Sequence, residues 1–96
     1  MTARFQVRTV PHFDRLLKKL SKSHPDLEEH FAQAVSILES DPYNQSRSHP
    51  IKKLRSVRPG EGQYRLRLGR WRFRYDVADR VVELSYCGLR REDTYR

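Results

Sequence analysis

The chain has 96 residues, with 20 Lys and Arg against 12 Asp and Glu, a formal charge of +8 and a pI near 10.2. That length supports one modest hydrophobic core. No stretch of roughly 18 apolar residues is present to span a bilayer, the N-terminus has no signal-peptide pattern, and the single Cys87 excludes an intramolecular disulfide framework or a Cys-based zinc cluster.

Arg4 to Val10 alternates, with Phe5, Val7 and Thr9 on one side and Arg4, Gln6 and Arg8 on the other, which predicts a half-buried strand ended by Pro11. From His12 to Ser23, Phe13, Leu16, Leu17 and Leu20 fall at helical spacing opposite Arg15, Lys18, Lys19 and Lys22. Ser21 to Pro25 breaks this helix, and Pro25 is expected in the first turn of the next. The second helix carries the stripe Leu27, Phe31, Ala34, Val35 and Leu38 and runs to about Ser40. Residues 41–50 are rich in Pro, Asn and Ser and read as a loop. Ile51 to Leu54 reads as a short extended piece, and Pro59, Gly60 and Gly62 mark a turn. Tyr64–Leu68, Trp71–Val77 and Val81–Cys87 then read as three strands, whose short connections require antiparallel pairing. The order β-α-α-β-β-β implies a single α+β domain over residues 1–96, an antiparallel sheet with an N-terminal helical hairpin on one face.

The charge is concentrated. Residues 1–50 carry seven Lys and Arg against six acids, and residues 51–96 carry thirteen against six. Between Lys52 and Arg74 stand nine basic residues, seven of them arginine and including Arg55, with Glu61 the one acid. Arginine in such density suits bidentate recognition of phosphate or carboxylate. Its arrangement is sharpest from Tyr64 to Tyr75. With Gly69-Arg70 as a two-residue type II′ turn, Leu68 faces Trp71, Leu66 faces Phe73 and Tyr64 faces Tyr75 on one side. Arg67 then faces Arg72, and Arg65 faces Arg74, on the other. Cross-strand neighbours are roughly 5 Å apart and like charges there destabilise the pair, while same-face neighbours along a strand are about 6.5–7 Å apart. The four arginines outline a rectangle on the scale of adjacent phosphates in a nucleic-acid strand. Two readings follow: an anion relieves the repulsion in use, or the guanidiniums splay into solvent and pair with acids elsewhere.

These residues resemble the RelE/ParE superfamily of bacterial toxin–antitoxin toxins, closest to the RelE-like ribosome-dependent mRNA interferases. The carriers are Phe13-Asp14-Arg15-Leu16-Leu17-Lys18-Lys19-Leu20, Lys52-Lys53-Leu54, Tyr64-Arg65-Leu66-Arg67, Trp71-Arg72-Phe73-Arg74-Tyr75 and Gly88-Leu89-Arg90-Arg91-Glu92-Asp93-Thr94-Tyr95, in order across nearly the whole chain. The resemblance implies a cytoplasmic endoribonuclease that blocks translation by cutting mRNA in the A site of the 30S subunit, with a cognate antitoxin as protein partner, no membrane partner, no cofactor and no metal. Carried over, the family's two strand basics fall on Arg65 and Arg67, the next strand's arginine on Arg72, and the C-terminal arginine and tyrosine on Arg90 and Tyr95; the site expected here has catalytic roles on Arg67, Arg72, Arg90, Tyr95 and His49 and RNA contacts on Lys52, Lys53, Arg55, Arg65, Arg74 and Arg91. The implied reaction is attack of a ribose 2′-hydroxyl on the adjacent phosphate, which needs a base, cations on the developing charge and an acid for the leaving oxygen. Arg67 and Arg72 suit charge stabilisation. Tyr95 suits stacking on a base or orienting the phosphate.

Relatives often carry lysine at the positions of Arg65 and Arg67. Arginine does not release its proton, so the base is left between His49, which one branch of the superfamily places just before the Lys52-Lys53-Leu54 segment, and Glu92. The plainer readings are a loop histidine beside Pro50 and a salt-bridge partner of Arg90 and Arg91. Arg91 and Arg90 compete for the C-terminal arginine position. Trp71 and Phe73 read as core, Cys87 as a small buried hydrophobe, and His12, His24 and His30 as surface residues. Two other functions share the same features: a ParE-like DNA gyrase inhibitor and a non-catalytic RNA-binding module.

Overall fold

The computed structural model describes residues 4–89. The elements in chain order are β1 (Gln6–Thr9), α1 (Pro11–Ser23), α2 (Asp26–Ser40), β2 (Ile51–Lys53), β3 (Tyr64–Leu68), β4 (Trp71–Ala78) and β5 (Val81–Leu89). Pro11 both ends the strand and opens α1, because the first helical position has no partner for an N–H and a proline there loses none. Thr9 Oγ1 donates to Asp14 Oδ1 at 2.6 Å and fixes the entry into the helix. The second helix begins one residue after Pro25, with Asp26, Glu28 and Glu29 in its first turn, where negative charge favours the helix dipole.

The sheet order is β1-β5-β4-β3-β2. The short piece after the loop is a true edge strand, paired with β3 through Ile51↔Leu66, Lys52↔Arg65 and Lys53↔Tyr64. Strands β2 to β5 are antiparallel, as expected from their short connections. The expectation of a wholly antiparallel sheet is corrected at the other edge. There β1 runs parallel to β5, with Gln6↔Val81 and Thr9↔Leu84, and the sheet is mixed. A parallel pair needs a long connection, and the whole of α1 through β4 supplies it.

Both hairpin turns have the backbone hand that matches strand twist. In Gly69-Arg70 only the glycine has a positive φ, at 59°, consistent with a type II′ turn, whereas Asp79 and Arg80 both have positive φ, at 51° and 66°, as a type I′ turn requires. The β4–β5 register slips by one residue between Arg74↔Tyr86 and Tyr75↔Leu84, leaving Ser85 as the extra residue of a β-bulge. The bulge reverses the facing of β5. Val82 and Leu84 are buried before it, and Cys87 after it.

The core lies between the helices and one sheet face. Phe13, Leu27, Ala34 and Leu38 meet Leu66, Trp71, Phe73, Tyr75, Val82, Leu84 and Cys87, all fully or almost fully buried. Burying each large apolar side chain is worth about 1.5–3 kcal/mol. The Tyr75 hydroxyl donates to the Pro42 carbonyl at 2.7 Å, anchoring the loop after α2 beneath the sheet. Burial raises the pKa of Tyr75 strongly, so it stays a donor, and pushes the Cys87 thiol up to about 12.

Candidate nucleic-acid interface

The residues that alternate with the core point to the sheet face opposite the helices. The β3–β4 register is Leu68↔Trp71, Arg67↔Arg72, Leu66↔Phe73, Arg65↔Arg74 and Tyr64↔Tyr75, as the turn chemistry predicts. The Arg67 N–H bonds outward to the Pro50 carbonyl at 3.1 Å, so Arg67↔Arg72 is a non-hydrogen-bonded pair of the hairpin. Such pairs bring side chains closest, with Cα atoms about 4.5 Å apart. Arg65↔Arg74, two residues along, is of the same kind.

Neighbouring strands extend the pattern into two rows. Lys52, Arg65, Arg74 and Tyr86 form one row across β2, β3, β4 and β5, and Arg67, Arg72 and Gly88 form the next. Gly88 is buried and admits the tyrosine: a Cβ there would stand 2.8 Å from Tyr86 Cζ. The Tyr86 ring therefore lies along β5 over Gly88, toward the row that holds Arg72. Acidic groups occupy the far end of the same face. There Glu83 pairs with Arg8 at 3.1 Å, and Asp76 Oδ2 and Oδ1 accept the N–H groups of Gly62 and Gln63 at 2.8 and 3.1 Å. The face is polarised, with cations over β2–β4 at the hairpin end and carboxylates at the other.

The structure sorts the remaining candidates. Arg74 is engaged by the loop that follows β2, its Nε and Nη2 donating to the Gly62 carbonyl at 3.1 and 3.0 Å. Lys53 belongs to the other side of the sheet, its ammonium 5.8 Å from the centre of the Tyr64 ring. Arg55 is exposed in the turn after β2. The imidazole of His49 faces Asp41, with Nε2 3.9 Å from Oδ2, and Asn44 holds its backbone on both sides, at 3.1 and 2.9 Å. Burial raises the Asp41 pKa, but hydrogen bonds from Ser46 Oγ and from the Gln45 and Ser46 N–H groups, with the nearby His49, outweigh it and leave a net lowering. His49 is thus built into the loop at the C-terminal end of α2. Arg90, Arg91, Glu92 and Tyr95 lie outside the described residues.

Sequence reading missed a cluster that fixes the hairpin tip. Asp26 accepts from Arg70 Nη2 at 3.0 Å and from Trp71 Nε1 at 3.0 Å. Its carboxyl is held at about 2 by Arg70 first and Trp71 second. His24 Nδ1 lies 3.2 Å from Arg70 Nη2 and its ring meets Trp71 edge-on at 5.3 Å, while His30 Nδ1 bonds the Asp26 carbonyl at 2.8 Å. The two histidines expected at the surface are partly buried parts of this clamp, and His12 is exposed. An acid in the first turn of a helix and a charged residue in a tight turn each look local in sequence, so nothing there joins them.

The class of fold is thus a helix-backed α+β domain, with two helices on one face of a five-stranded mixed sheet and arginines of β3 and β4 on the other. The solved structure described as an archaeal RelE–RelB complex from Pyrococcus horikoshii OT3 superposes on it with a TM-score of 0.65 and 27% identity, covering 94% of this chain and 97% of that one. By this match the chain is similar in fold to that RelE protein over nearly its whole length. It matches no protein-family model and no curated protein.

Proposed function

We propose that the protein is the toxin of a toxin–antitoxin module and an endoribonuclease that cuts mRNA on the ribosome. The observation that carries this is the pairing of Arg67 with Arg72 and of Arg65 with Arg74 across one hairpin, on the sheet face that the helices leave open. Four like charges so placed weaken the hairpin, and an RNA phosphate offsets that cost when bound. Among the described residues, no carboxylate makes an ion pair with Arg67 on β3 or with Lys52 on β2.

The chemistry follows from the side chains. Attack of a 2′-hydroxyl on its own 3′-phosphate expels the 5′-oxygen of the next nucleotide and leaves a cyclic phosphate. Negative charge builds on the phosphoryl oxygens, and guanidiniums fixed on strands stabilise it without rearranging. Arg67 and Arg72 take that role, and Arg65 and Lys52 hold the neighbouring phosphate. Arginine does not exchange its proton near neutral pH, so proton transfer belongs to other groups. His49 is turned to Asp41 and is poorly placed for it, which leaves the C-terminal segment with Glu92 and Tyr95, or groups of the ribosome itself. The Pyrococcus relative is crystallised with RelB, and by analogy a cognate antitoxin is the expected protein partner.

The test is induction of the protein in cells followed by mapping of mRNA 5′ ends. New ends within translated codons, dependent on ribosome occupancy, are the expected result. Intact mRNA accompanied by a DNA-damage response would instead indicate a gyrase inhibitor.

A further inference from the structure

A single irregularity in β5 delivers a tyrosine to the arginine face. Leu84 faces the core opposite Tyr75. Strict alternation would put Tyr86 and Gly88 on the core side with it. The bulge at Ser85 reverses this: Cys87 turns inward opposite Phe73, and Tyr86 and Gly88 fall on the open face opposite Arg74 and Arg72. Bulges beside functional sites re-aim a side chain, and the side chain re-aimed here is a phenol.

The glycine two residues on gives that phenol its seat. In the row Arg67, Arg72 and Gly88 the β5 position has no side chain of its own, and Tyr86 fills the slot. A Cβ on Gly88 would stand 2.8 Å from Tyr86 Cζ and 3.1 Å from Cε2, with the hydroxyl oxygen closer still. The phenol hydroxyl therefore takes the place of a side chain at position 88. Its register neighbour there is Arg72, one strand spacing of about 5 Å away.

What the row gains is a donor without a charge. Arg67 and Arg72 already repel each other across the hairpin, and a third cation on β5 would add to that. A phenol hydroxyl can donate to a phosphate oxygen and brings no repulsion. We propose that Tyr86 is a phosphate-binding residue: its hydroxyl, seated over Gly88, donates to a non-bridging oxygen of the phosphate that Arg67 and Arg72 hold. The hydroxyl keeps its proton, and no covalent bond is made or broken at it. The family resemblance assigns no role to Tyr86, and the Tyr95 expected in the site is a different residue. That this phosphate is the one cut rests on the endoribonuclease reading.

The experiment is an NMR titration of the full chain with a deoxydinucleotide, two thymidines joined by one phosphodiester, which has no 2′-hydroxyl and is not cut. Tyr86→Phe keeps the ring and removes only the donor. It should weaken binding roughly tenfold, the lower end for a hydrogen bond to a charged group. The Rp and Sp phosphorothioate dinucleotides then locate the contact. Sulfur is the weaker acceptor, so one diastereomer should bind parent and Tyr86→Phe alike, and the other should keep the tenfold difference. Gly88→Ala, whose Cβ displaces the phenol, should weaken binding as Tyr86→Phe does, and combining the two should cost no more than either alone. If Gly88→Ala does not fold, the Tyr86→Phe comparison decides alone. Equal affinity of parent and Tyr86→Phe, or the same loss with both diastereomers, would overturn the proposal and leave Tyr86 as a cover for the Gly88 backbone. A diastereomer-selective loss in a protein that cuts no mRNA would keep the phosphate contact and remove the nuclease. Cleavage of mRNA with no loss of binding in Tyr86→Phe would do the reverse.

Discussion

Asp26, the first residue of α2, accepts the indole N–H of Trp71, forty-five residues further along the chain, at 3.0 Å. The same carboxylate takes Arg70 at the tip of the β3–β4 hairpin. A single acid therefore pins the strand pair that carries the arginines to the helix layer. The pKa sets a pH window. The folded value is about 2 against an ordinary 3.8, so the unfolded chain takes up the proton first as pH falls. The stabilisation is complete above the ordinary value and disappears between about 3.8 and about 2. Asp26→Asn should lower the unfolding midpoint at neutral pH, and thermal melts of variant and parent should converge as pH is lowered through that interval. A gap that stays constant to the acid limit would show that the carboxylate's charge does not act through the clamp.

Arg67→Gln separates folding from function. Removing one of two like charges directly opposite each other should leave stability unchanged or raise it by about 0.5 kcal/mol, within the range for cross-strand pairs. Loss of a fixed cation at a developing oxyanion costs on the order of a hundredfold in rate. Chemical denaturation and cleavage of ribosome-bound mRNA read the two effects separately. A variant that loses stability and activity together would count against the placement of Arg67 on an open, repulsive face.

Gly62→Ala should be destabilising by about 1–3 kcal/mol. Gly62 has a φ of +83°, which penalises any Cβ, and a Cβ there would also meet Arg74 Cβ at 2.9 Å and Ser85 Oγ at 3.0 Å. The loss should appear as release of the Arg74 side chain from the loop carbonyl, visible as a changed Arg74 Nε–H signal by NMR. Wild-type stability in this variant would mean that the loop between β2 and β3 rearranges freely.

The parts of this fold legible in sequence are those in which local chemistry and pattern act over a few residues. Gly69 next to Arg70 sets the turn, and alternation carries the register outward as far as Tyr64↔Tyr75. The β5 bulge is hidden because Val82, Leu84 and Cys87 all face the core although their spacing breaks the period of two. The parallel seat of β1 and the Asp26 clamp both join segments far apart in sequence, which periodicity does not address. The candidate site divides the same way. Arg65, Arg67, Arg72 and Lys52 share one face because strands alternate, whereas Lys53 is turned away by the same rule. Arg74 was legible as a cation on that face but not as the anchor of a loop, since its partner is a backbone carbonyl with no side-chain signature.

Cys87 provides a check on the core. It is 1% exposed beside Phe73 in the register, and burial pushes its thiol up to about 12. The reactive species is the thiolate, so iodoacetamide at pH 8 should label the native chain negligibly and the denatured chain fully. Labelling that tracks denaturant concentration should give the same midpoint as tyrosine and tryptophan fluorescence. Fast labelling under native conditions would contradict the packing of β5 against the helices.

His49 provides the sharpest test of where the protons go. Its imidazole lies 3.9 Å from the Asp41 carboxylate, and its backbone is held by both ends of the Asn44 amide. A general base contributes typically a hundredfold or more to rate, and His49→Gln would lose that if the imidazole took the 2′-hydroxyl proton. With the ring turned to Asp41, the expected loss of mRNA cleavage is less than about tenfold, a bound set by the lower end of general-base effects. The pH–rate profile should keep its shape, since the titrating group lies elsewhere. A hundredfold fall in rate with the fold intact would return His49 to the reacting centre, and would require the loop at residues 41–50 to move toward the arginine face when RNA binds.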